Sequence, residues 1–97
     1  MSQVDELRDA IHALHGGKAY HRESVPVKET FNGQTVWDGI VEVFDLKGHH
    51  KTNTVYAWWH DNGKEVQPVT VLHVHPALTP IDAVRAFIVQ EYRNASA

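Results

Sequence analysis

Histidine is the residue best suited to chemistry in this chain, with eight among 97: His12, His15, His21, His49, His50, His60, His73 and His75. Imidazole changes charge near neutral pH, and its nitrogens ligate borderline metals. His73-Val74-His75 puts two imidazoles on one strand face, about 7 Å apart by strand rise, and hairpin pairing would bring His50 toward them. A zinc site needs three or four ligands, and the nearest acid on that face, Glu65, falls at the far end of the hairpin. No metal and no cofactor is therefore expected. Eight added protons would carry the formal charge from −3 to +5, so acid should weaken any self-association through a histidine-bearing surface.

Acid–base catalysis needs titratable groups with shifted affinities in a pocket. Asp38 and Glu42 alternate along one predicted strand, and Glu23 and Glu29 along another. Glu42 falls among Ile40, Phe44 and Val55, where an unpaired charge is costly, so a basic partner such as Arg85 or Arg8 is expected. Ser2, Ser24 and Ser96 lie in no Gly-x-Ser-x-Gly elbow. Gly16-Gly17-Lys18 follows a helix, where a phosphate-binding loop should open one, so it reads as a helix stop. Trp37, Tyr56 and Trp58 have the ring faces to stack bases. The nearby cations Arg22, Lys28, Lys51 and Lys64 are scattered among acids, and the pI is near 6.2, so nucleic acid is not an expected partner. The absence of cysteine rules out disulfides and thiol chemistry. These residues point away from an enzyme.

The elements that would position these side chains are legible from pattern. Val4, Leu7, Ile11 and Leu14 recur at helical spacing and predict a helix from Gln3 to His15, stopped by Gly16-Gly17. Asn32-Gly33 and Asn62-Gly63 are hairpin signals, because a two-residue turn of this kind needs positive φ at both positions. They predict strands near Tyr20–Phe31, Gln34–Leu46, Thr52–Asp61 and Lys64–His75. Pro26 and Pro68 cannot donate to a ladder, which suits the two sheet edges. Thr79 as N-cap, Pro80 at the first helical position and Asp82 open a second helix, with Ile81, Val84, Phe87, Ile88 and Tyr92 on its apolar side. The chain reads as a single α+β domain over residues 1–97: helix, four-stranded antiparallel meander, helix. Both helices are expected on one face of the sheet. A two-residue turn at Asn62-Gly63 would set Trp59 against Val66 and Tyr56 against Val69.

On that reading the second sheet face is open and apolar. It collects Trp37, Val41, Val43, Tyr56, Trp58, Val69 and Val71, with His73 and His75 at one margin. A solvated sheet face alternates with polar residues, and this one does not. The expected function is a small interaction module that self-associates as a homodimer, or binds a partner, through this face. The alternative is a small-molecule-binding protein or small enzyme with a pocket beside Tyr56, Trp58, His73 and His75. With no apolar run long enough to span a bilayer and no leader pattern, the expected location is the cytoplasm.

Overall fold

Residues 3–96 are described by a computed structural model. The elements run α1 (Gln3–His15), β1 (Lys18–Phe31), β2 (Gln34–Lys47), β3 (Thr54–Asp61), β4 (Val66–Leu72) and α2 (Pro80–Ser96). The strands form one antiparallel sheet in the order β1-β2-β3-β4. This is the α+β meander expected from the sequence, with Pro26 and Pro68 on its edge strands.

Local chemistry sets the ends of these elements. Asn32 and Gly33 have φ of 51° and 78°, and Phe31 pairs with Gln34 across them, as a two-residue hairpin turn requires. Gly17 has φ of 75°, and a Cβ there would collide with the Lys47 carbonyl, so only glycine lets the chain drop from α1 into β1. At the start of α2 the Thr79 hydroxyl accepts the Asp82 N–H at 3.1 Å, with Pro80 at the first helical position.

The β3–β4 connection departs from the expected two-residue turn. Asp61 pairs with Val66, Trp59 with Pro68 and Tyr56 with Val71. The Asn62 side chain explains the longer loop, since its Oδ1 accepts the N–H groups of both Lys64 (2.9 Å) and Glu65 (3.0 Å). The register moves by two residues, and a shift of two leaves every side chain on its original face.

The larger correction concerns the helices, which lie on opposite faces of the sheet. Leu7 and Ile11 of α1 bury against Ala19, Phe44, Leu46, Val55 and Ala57. Ala83 and Val84 of α2 bury against Val27, Val41, Val43, Tyr56 and Trp58, on the other side. The reason is that β2 and β3 are apolar at both alternations, so each face needs its own cover. Placing both helices on one face would leave Val41, Val43, Tyr56 and Trp58 in water. At about 1.5–3 kcal/mol per large apolar side chain, that would forfeit roughly 6–12 kcal/mol.

Candidate functional site

The residues expected on an open binding face are thus mostly core. Val41, Val43, Tyr56 and Trp58 are buried beneath α2, and Trp37, Val69 and Val71 are half-buried against the same cluster. Trp58 stands edge-on to Trp37 (centroids 5.6 Å apart) and to Phe87 of α2 (5.5 Å), a packing that favours the ring quadrupoles. Its Nε1 is buried without a hydrogen-bond partner among the described residues. The Tyr56 hydroxyl shares a hydrogen bond of 2.6 Å with Nδ1 of half-buried His73. Burial pushes the Tyr56 phenol above its usual range, with Arg22 pulling it down and Asp82 pushing it up. A phenol so placed keeps its proton and serves as a donor. β4 ends at Leu72, so His73 and exposed His75 lie beyond the strand. His50 stacks on His49, and no group of three or more His, Cys, Asp or Glu that could hold a metal ion occurs among the described residues.

A second polar group arises where sequence alternation fails. His21 pairs with Phe44 and Glu23 with Val43, leaving Arg22 as an extra residue in β1. In a regular strand His21 and Ser24 would point to opposite faces, and the bulge brings them to the same one. There His21 Nε2 lies 2.9 Å from Glu42 Oε1, which also accepts the Ser24 hydroxyl. Glu42 is therefore held by His21 and Ser24, whereas Arg85 pairs with Glu29 (3.1 Å) and Arg8 with Asp5 (3.4 Å). A nucleophile relay needs the imidazole to bridge acid and hydroxyl through its two nitrogens. Here Nε2 faces Glu42 and, at 3.4 Å, Ser24. The cluster satisfies a carboxylate at the margin of the α1 layer.

The large open apolar surface lies elsewhere, between the tip of the β1–β2 hairpin and the last turns of α2. A groove of about 650 Å³ is lined by Phe31 and Val36 from the hairpin and by Ile88, Val89 and Tyr92 from α2, with Arg85 and Glu29 paired at its edge. Phe31 is 68% exposed, Tyr92 76%, Val89 49% and Val36 46%. Val36 reaches the groove because a second bulge, opposite the step from Glu29 to Thr30, leaves it unpaired in β2. Phe31 beside a turn and Tyr92 near a helix end were both visible in the sequence. Their convergence depends on α2 crossing to the hairpin's side of the sheet.

Comparisons with protein-family models, curated proteins and solved structures found no match to this chain. Among the described residues no helix is long and apolar enough to cross a membrane.

Proposed function

We propose that this chain is a small cytoplasmic interaction module that self-associates as a homodimer, its contact surface being the groove between the hairpin tip and α2. The observation that carries this reading is the convergence of Phe31, Val36, Val89 and Tyr92, all large, apolar and half or more exposed, on one recess. Contiguous patches of this kind mark association surfaces. The size of the exposed surface agrees. The chain presents 6444 Å² of accessible surface, against roughly 5,600 Å² for a compact monomer of its 11.0 kDa mass. A second copy is the simplest occupant, because a two-fold contact needs only one self-complementary patch.

Light scattering behind a sizing column tests this directly. Wild-type protein should show twice 11.0 kDa at micromolar concentration. Phe31→Asp and Tyr92→Asp should each halve the mass while leaving the circular dichroism unchanged, because both side chains are exposed. A wild-type chain that stays monomeric at about 200 μM, where even a 0.1 mM dimer would be well populated, would end the proposal.

One observation favours the alternative of a small-molecule site beside Tyr56, Trp58, His73 and His75. The partnerless Trp58 Nε1 is a donor that a bound polar atom would satisfy. Tryptophan fluorescence that responds to an added ligand and is silenced by His73→Ala would support it.

A further inference from the structure

Three histidines far apart in role, if not in space, meet where the C-terminus of α1 reaches the β2–β3 connection. His15 Nε2 shares a hydrogen bond of 2.7 Å with the Thr70 hydroxyl of β4, in a half-buried position. Its ring stands edge-on to His49, with centroids 6.4 Å apart. His49 in turn stacks on His50 at 5.0 Å, with the planes 15° apart. Nδ1 of His49 accepts the backbone N–H of Lys51 at 3.1 Å.

The bond to Lys51 requires a neutral His49, whereas the Thr70 hydroxyl can donate to a neutral His15 or accept from a protonated one. A nitrogen that accepts an N–H must carry a free lone pair, so protonating His49 at Nδ1 removes the bond to Lys51. Two stacked imidazolium rings repel. A proton on His15 places charge in a half-buried site facing another histidine. Among the described residues no carboxylate forms an ion pair with any of the three rings. From α1 comes His12, whose Nδ1–H is committed to the Gly17 carbonyl at 2.6 Å. The end of β2 contributes Lys47, the connection contributes His50 and Lys51, and β4 contributes the uncharged Thr70. The one histidine–carboxylate pair among the described residues is His21–Glu42, in the other cluster. The carbonyl end of α1 favours a cation, yet burial first and His49 second hold His15 below the ordinary histidine range.

We infer that His15, His49 and His50 form an acid-released latch: neutral, they hold the 47–53 connection folded against the end of α1, and protonated, they let that connection open. The direction of the effect on stability follows from linkage. The unfolded chain takes up a proton on His15 near pH 6.5, before the folded chain does, so stability is greatest above that pH. It is lost as pH falls from there toward the lowered folded value, and below that value the loss levels off. This proposal is independent of the groove and stands or falls without it.

Hydrogen exchange of the Lys51 amide in the full chain, normalised for the intrinsic rate at each pH, is the deciding measurement. Between pH 7.5 and 5.5 its protection should fall severalfold, while amides in the middle of α2 keep theirs. His15→Gln together with His49→Gln retains polar side chains but cannot titrate, so the fall should disappear. Unchanged protection in the wild type overturns the inference, and so does the same fall in the double variant. Should the double variant fail to fold, the imidazole nitrogen shifts of the wild type decide. His49 must show an unprotonated Nδ1 at pH 7.5, and its titration must coincide with the change at Lys51. A protonated Nδ1 at pH 7.5, or titration of His49 without any change at Lys51, overturns the latch.

Discussion

The layers on the two faces of the sheet are built differently. Beneath α1 the buried packing is mostly aliphatic, with Phe44 inside and half-buried Trp59 beside it, and the 13-residue helix closes over Ala19, Leu46, Val55 and Ala57. Beneath α2 the packing is richer in aromatic rings, with Trp58 edge-on to both Trp37 and Phe87, Tyr56 tilted against His73, and His60 edge-on to Phe87. β1 and β2 have 14 residues each, against eight and seven in β3 and β4, so the first hairpin outruns the sheet. The 17-residue α2 packs against that hairpin but does not fill the space at its tip. An amphipathic helix matched to its sheet leaves smaller recesses, of about 370 and 280 Å³ along the α1–β1 seam. A longer helix beside an overhanging hairpin gives a core at one end and a groove at the other.

Truncation should separate the two layers most sharply. Trp58→Ala removes the largest fully buried side chain and should cost about 3–5 kcal/mol of unfolding free energy, measured in urea. Leu7→Ala in the α1 layer should cost about 2–5 kcal/mol, nearer the lower end if the aliphatic layer can collapse around the vacancy. A Trp58→Ala cost below about 1 kcal/mol would mean that α2 is not the lid of a packed layer. A smaller effect belongs to the start of that lid. Thr79→Ala removes the cap on Asp82 and should cost about 1 kcal/mol, read from the same urea midpoints. Smallest is Arg85→Ala at the groove's edge. Arg85 is mostly exposed, so losing its pair with Glu29 should change stability by no more than about 0.5 kcal/mol. A larger change would show that the edge of the groove supports the fold as well as the opening.

Much of the fold was legible residue by residue. The stripe through Leu7 and Ile11, the Asn32-Gly33 turn, the Thr79-Pro80 start and the edge prolines each express a local rule that acts within a few residues. The candidate site was less so. Alternation correctly grouped Trp37, Val41, Val43, Tyr56, Trp58, Val69 and Val71 on one face, yet left that face open where α2 covers it. The bulges at Arg22 and Val36 were invisible because a bulge reverses alternation without a compositional mark. They bring His21 and Ser24 to Glu42 and turn Val36 toward the groove.

The sequence by itself determined the elements, their order and the grouping of side chains by face, because helix periodicity, strand alternation and turn chemistry are properties of short segments. It also made both faces of β2 and β3 apolar, a condition that demands two covers. Only the tertiary structure decided which helix covers which face, where the hairpin tip overhangs, and that His15 meets His49 and Thr70. Those outcomes depend on contacts between segments distant in the chain, where burial of whole surfaces outweighs the preference of any single residue.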